Sequence, residues 1–553
     1  MKRAVLISSL LAGLSASNAH AATLFHGGSI ITMDNNKAEA VISDAGKIQY
    51  VGPLIGAKAW CKQQQCTNYD LKGRSLLPGF IDAHGHYSIT LDYLFYKNVA
   101  SPPVGAINTI DELVNELAET PARKSWILGA GYDDSLLAAQ RHPTRWDLDR
   151  VSKDQPVFIK HVSGHLGVCN SKCLEIAGIT KDSKDPEGGH IQRDKKSGLP
   201  NGVIEEKALD FVYKKLPKPS KSEQLKKLAQ LDQYYAQYGL TTIQDGAANP
   251  AGIDLLREAD AKGLLSLDVI AYPYDNWTDL SLKQYQPGRT PEDKRFRIAG
   301  VKMVLDGSPQ GKTAWLSHPY HEPPANQDSD YRGYATQNDA EVKARLKSYY
   351  DKGWQVILHA NGDAAAEQML DTIAALKEQG SHQPDSVMIH AQTVRDDQLK
   401  RMPELAVIPS FFVAHTFYWG DWHRDSVLGK TRAKRISPLQ SASSVGIAYT
   451  IHNDTPIVPP DMPLLLWTAT QRQTRSGKTL GKDQQASTYQ ALQAITINAA
   501  KQHREASYKG TITVGKLADL VILDRNPLNV SSLALKDLKV LETFKEGRSV
   551  YRR

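Results

Sequence analysis

At 553 residues, with 41% hydrophobic and 23% charged side chains, the chain is long enough for a large core plus an accessory domain. Its formal charge of +7 is mild, and its basic residues form no dense patch of the kind that nucleic-acid binding requires. Beyond the N-terminus no apolar run approaches the ~20 residues needed to cross a bilayer, which predicts a soluble mature protein.

Met1-Lys2-Arg3, the apolar stretch from Ala4 to Leu14 and the small-x-small triplet Ala19-His20-Ala21 read as a secretory signal peptide over residues 1–21, cleaved after Ala21. Removing its two charges, Lys2 and Arg3, takes the net charge from +7 to +5. The expected location is the periplasm or the exterior, where cysteines meet an oxidising medium. Four cysteines fall in two local pairs, Cys61/Cys66 and Cys169/Cys173. Closeness in sequence favours two short-loop disulfides over a four-cysteine zinc site, since neither pair has CxxC spacing, although free thiols stay open.

Residues 22–78 contain short strand-like runs, Thr23–His26, Ser29–Met33, Ala40–Ile42 and Lys47–Val51, separated by turn residues. A matching set closes the chain at Gly510–Ile512, Ala518–Asp524, Leu538–Thr543 and Gly547–Tyr551. Neither set makes a core alone, so they are expected to form one small composite β-sandwich from 22–78 plus 500–553. Between them, apolar strands alternate with helical segments: Gly79–Ile81, Thr241–Asp245, Leu267–Ala271, Ile298–Leu305, Gln355–His359, Val387–His390, Ala406–Ser410 and Ile447–Ile451. Eight such units predict an α/β fold, a (β/α)8 TIM barrel over 79–499, with an insertion of about 95–220 after the first strand.

Polar residues recur at the ends of these strands. His84 and His86 follow the first, one residue apart, which in a strand places them on one face. His359 ends the fifth, His390 the sixth, and Asp454 follows the eighth. An isolated pair of histidines reads equally well as a surface loop, but this register marks the catalytic face of a barrel. Lys302 shares a strand face with Val304 and Asp306, so it is either ion-paired to Asp306 or a buried amine able to take up carbon dioxide.

The combination of Pro78-Gly79-Phe80-Ile81-Asp82-Ala83-His84-Gly85-His86, Arg141-His142-Pro143-Thr144-Arg145, Gly300-Val301-Lys302 through Asp306-Gly307, His359-Ala360-Asn361-Gly362-Asp363, Asp454-Thr455-Pro456 and Gly515-Lys516-Leu517-Ala518-Asp519-Leu520 resembles the amidohydrolase superfamily, within it amidohydrolase family 3. The resemblance implies a metal-bearing barrel with ligand roles on His84, His86, Lys302, His359, His390 and Asp454. In that reading His84, His86 and Asp454 hold one divalent ion, zinc being the first expectation, and His359 and His390 a second. Lys302, as its carbamate, bridges them, and Asp454 is the proton shuttle; without carboxylation of Lys302, a single ion held by fewer ligands does similar work. His165, His415, His452 and Asp306 are the candidate substrate contacts, with His165 alternatively a loop cap, His452 alternatively a partner of the metal acid and His415 alternatively core.

The function expected is hydrolysis of C–N bonds in amide, N-acyl or formamide-type small molecules, by a chain that is a candidate homo-oligomer. Deamination is disfavoured because the stretch after His359 lacks the glutamate that such enzymes carry. Ester or lactone hydrolysis, and a non-catalytic binding or regulatory role, remain alternatives. The segments Ile451-His452-Asn453 and Asp306–Gly311 depart from the commoner family pattern, beside the presumed substrate space.

Overall fold

The computed structural model describes residues 22–553 apart from 35, 187–188, 276–284, 289–293, 325–326 and 382–383. The expected signal peptide, 1–21, lies outside the described residues.

The two ends of the chain share one eight-stranded sheet. Strand Ser75–Pro78 is its hinge, pairing in parallel with Ala22–Ile31 on one side and antiparallel with Leu520–Leu523 on the other. Phe25, Val41, Leu76, Leu520, Ile522 and Phe544 meet on one face, so the apolar alternation of both termini is satisfied only when they combine. The two runs expected at Thr23–His26 and Ser29–Met33 are one strand with an irregularity between His26 and Ile30, whereas Gly510–Ile512 is not a strand. The helix Leu54–Gln64 and the exposed strand Cys66–Asp70 escaped the sequence reading because neither shows a clean apolar period. The Cys61–Cys66 disulfide joins them, and Cys169–Cys173 is bonded as well.

Two parallel sheets follow in chain order. One holds Phe80–Ile81, Leu240–Ala248, Asp268–Pro273 and Phe296–Ile298, and the other Gly300–Val304, Gln355–Ala360, Ser386–His390, Val407–Phe411 and Thr450–Ile451. The expected fourth strand is thus broken at Ala299. A β-carbon on Gly300 would lie 2.0 Å from the Gln355 carbonyl oxygen, so only glycine lets the fifth strand approach there. The sheets meet at a parallel bridge between Tyr274 and Lys302. At the opposite seam Asp454 N–H donates to the His84 carbonyl (3.2 Å) and His86 N–H to the Thr455 carbonyl (2.8 Å). The first and last strands are two residues each, and the last is shorter than its expected run Ile447–Ile451.

Residues between the first two parallel strands build a separate six-stranded sheet. It has an apolar core of its own, with Val99, Leu113, Ile127, Val157 and Ile159 among its members. No helix of the described residues is long and apolar enough to cross a membrane.

Candidate metal centre

His84 lies in the bend after Ile81 and His86 in an isolated antiparallel bridge to Asp245, neither of them in the strand, yet they converge. His84 Nδ1 meets the Gln244 side-chain oxygen, and Gln244 is itself fixed by donating to the Ala83 carbonyl at 2.9 Å. His86 Nδ1 meets the Gly246 carbonyl. Each acceptor demands a protonated Nδ1, leaving both Nε2 lone pairs facing inward. They lie 3.4 Å and 3.1 Å from Asp454 Oδ1, a buried oxygen without a hydrogen-bond partner.

His359 is held by the opposite nitrogen: Nε2 donates to the Gly307 carbonyl at 3.0 Å, and Nδ1 faces His390 Nε2 at 3.0 Å. Behind His390, His452 Nε2 lies 3.2 Å from its Nδ1, and Ser410 Oγ lies 2.9 Å from His452 Nδ1. With His452 donating to Ser410, His390 donates to His452 and its Nε2 remains an electron-pair donor. Lys302 Nζ sits 3.2 Å from His84 Nε2, the residue being only 2% exposed. Burial pushes the Lys302 amine down to about 7 against the attraction of Asp454. Burial first, then neighbouring positive groups, holds His84, His359 and His390 well below the ordinary imidazole value. Neutral imidazoles are the ligand form.

Facing lone pairs repel unless a cation or a shared proton lies among them. Here they face one another with an unpartnered carboxylate oxygen, and a divalent ion fits that donor set. Two of the donors carry backbone strain: His390 has φ 76° and Asp454 φ 58°, left-handed values that cost non-glycine residues about 1–3 kcal/mol.

A cavity of about 40 Å³ opens on this cluster, lined by Ser163, His165, Gln310, Asn361, His415 and Ile457 among others. His165 reaches it from the insertion, where Glu206 at 3.1 Å raises its pKa against the opposing effect of burial. His415 also lines it, stacked on His423 and 2.9 Å from it. Two of the expected substrate contacts are placed otherwise. His452 stands behind His390 as its support. Asp306 is fully buried and accepts backbone N–H groups from Trp315, Asn361 and Gly362, which makes it a loop anchor. Among the described residues no ion pair joins Lys302 to Asp306.

The sequence reading passed over Gln244, Asn361, Ser410 and the chain Asp134–His161–Ser163. In that chain His161 Nε2 lies 3.0 Å from Asp134 and Nδ1 2.8 Å from the Ser163 hydroxyl. Gln244 gave no clear signal, because its strand also carries Thr241, Thr242 and Asp245 and no alternation singles it out. The others depend on long-range contacts.

A family model, the amidohydrolase family, matches residues 68–551. An N-substituted formamide deformylase of Arthrobacter pascens is 26% identical over 94% of this chain and 96% of its own length. A putative amidohydrolase of Bacillus subtilis is 25% identical over 96% of this chain and 99% of its own. The crystal structure of an uncharacterized metal-dependent hydrolase from Pyrococcus horikoshii superposes with a TM-score of 0.75 at 27% identity, covering 92% of this chain and 99% of that one. With a TIM-barrel-type α/β fold and a match that runs almost from end to end, the chain belongs to the amidohydrolase family, as a hydrolase of carbon–nitrogen bonds.

Proposed function

We propose that this chain is an exported, metal-dependent hydrolase of amide, N-acyl or formamide-type substrates, with a small acyl group on the carbonyl. The observation that carries the reading is the cluster in which His84 and His86 face the orphaned Asp454 oxygen, Lys302 meets His84, and His390, grouped with His84 and Asp454, meets His359. The donor set suits zinc, as one ion or two, which when bound supplies Lewis acidity for a carbonyl and lowers the pKa of water. Lys302, a buried amine near pH 7 in its ionisation, is suited to adding carbon dioxide at Nζ with release of a proton, giving a carbamate ligand.

The remaining chemistry falls to the side chains. Asp454 accepts the proton of the attacking water and passes it to the departing nitrogen. His165, its positive charge favoured by Glu206, is placed in the cavity wall to donate to the carbonyl oxygen. The 40 Å³ chamber is scaled to a formyl-sized group, in keeping with the name of the Arthrobacter relative. Within the same reading, 79–499 closes as a (β/α)8 barrel, 22–78 plus 500–553 is the composite sandwich, and 1–21 directs export.

Purified protein and its His84→Ala and His359→Ala variants should be assayed for bound metal and for formate or acyl release from N-substituted formamides and amides. One to two ions per chain, lost in the variants together with turnover, is the expected result. A fully loaded protein that releases acid from none of these substrates overturns the proposal.

A further inference from the structure

Beside the catalytic chamber lies a larger cleft of about 210 Å³, at the seam between the insertion and the barrel-type domain. Its walls are aromatic and aliphatic: Tyr93, Leu94, Val104, Tyr234, Tyr418 and Trp419. The two spaces share a wall residue, Ile457, three residues after Asp454. They also touch through a ring pair, because Trp419 in the cleft packs on His415 of the chamber with centroids 4.6 Å apart.

The polar groups of the cleft are of two kinds. Asp133 is fully engaged, accepting from the Ser135 amide and hydroxyl and from the Trp419 indole N–H. Lys97 is ion-paired with Glu116. In contrast, the Ser101 hydroxyl, in a residue only 4% exposed, has no partner. Arg475 donates one guanidinium nitrogen to the Pro102 carbonyl, and its buried Nη1 has no partner. Ser101 precedes Pro102, whose carbonyl the Arg475 guanidinium binds through its other terminal nitrogen, and all three residues line the cleft. Buried donors left unpaired are the exception in folded proteins and point to an acceptor that arrives with a ligand. A guanidinium and a hydroxyl in the same wall match a carboxylate.

We propose that this cleft is the subsite for the amine side of the substrate, and that it takes an apolar, ring-sized group carrying a carboxylate that Arg475 and Ser101 bind. This deepens the hydrolase reading above and rests on it for the word substrate. The size difference orients the molecule: the small chamber receives the acyl carbon, and the cleft receives the bulk attached to nitrogen.

The test uses 3-phenylpropionate and its neutral analogue 3-phenylpropanol as probes of the metal-loaded protein, with binding read by tryptophan fluorescence and calorimetry. The acid should bind at least tenfold more tightly than the alcohol. Arg475→Gln should remove that preference, and Val104→Trp, which fills the cleft from another element, should abolish binding of both, with metal content unchanged in each variant. Equal binding of acid and alcohol, or acid binding unaffected by either variant, overturns the inference. Because binding is read without turnover, the two readings fail separately: formamide hydrolysis without probe binding removes the subsite alone, whereas probe binding lost in the variants, with no amide hydrolysed, leaves the subsite and removes the hydrolase reading.

Discussion

Asp454 faces two imidazole nitrogens through an oxygen that no N–H or O–H satisfies, and its backbone is held in a left-handed conformation. Asp454→Asn keeps an oxygen that can face the cation but removes the base, so turnover should fall by about 10²–10⁴-fold with metal retained, read by acid release and metal analysis on one preparation. Gln244 acts through His84 by fixing its tautomer. Gln244→Leu removes that acceptor and should weaken metal affinity by about 10–100-fold, measured by competition with a chelator. For Lys302, intact mass in bicarbonate buffer should show one added carbon dioxide, absent in Lys302→Met.

Among elements, the loop after Val304 and the turn after Ala360 are tied together by one side chain. Asp306 accepts from Trp315, Asn361 and Gly362, and Asn361 in turn donates to the Gly307 carbonyl that orients His359. Burial pushes the Asp306 carboxyl up to about 7 although the three donors oppose it. Asp306→Asn would turn an amide NH₂ against these donors and should cost about 2–3 kcal/mol in urea unfolding. Metal affinity should fall with it, because the His359 acceptor moves. The sheets show a similar dependence on partners. Strand Phe80–Ile81 is two residues long, yet its position is secured by parallel pairing with Leu240–Ala248 and by the amide contacts from Asp454 and His86 across the last seam.

For the whole molecule, the terminal sheet is joined to the parallel strands through buried charge. Asp268 on the third parallel strand meets Lys509 at 2.5 Å, Lys545 at 2.9 Å and Arg295 at 3.1 Å, and Lys509 meets Glu505 at 2.7 Å. Removing one partner strands the others in a low-dielectric interior. Asp268→Ala should therefore cost about 3–5 kcal/mol, seen in chemical denaturation. These three cations, winning over burial, hold Asp268 well below the usual carboxylate range, and Lys509 with Arg297 likewise holds Glu505 at about 2. These carboxylates are more acidic folded than unfolded, so their stabilisation is present above about pH 4 and is lost as pH falls toward 2. An acid titration followed by circular dichroism should show that loss, shifted or removed in Asp268→Ala.

Much of this was legible from local pattern. The period of apolar runs placed most parallel strands, because strands buried on both faces read as apolar stretches whatever their neighbours. His359 and His390 could be found because a strand end is a local feature. The pairing of both chain ends in one sheet followed from each set being too small to bury its own face. What stayed hidden depends on contacts across long sequence distances. The break at Ala299, the anchoring by Asp306 and the tautomer set by Gln244 arise from backbones and side chains that meet only after folding. So does the cleft with its unpartnered Ser101 hydroxyl and Arg475 Nη1, whose walls come from separate stretches between Thr90 and Arg475. The sequence by itself determined the residue types of the cluster and their order along the chain, because buried imidazole, amine and carboxylate groups demand particular partners. Only the tertiary structure decided which nitrogen of each ring faces inward and which polar groups lack partners, because those depend on distances of a few ångströms between distant segments.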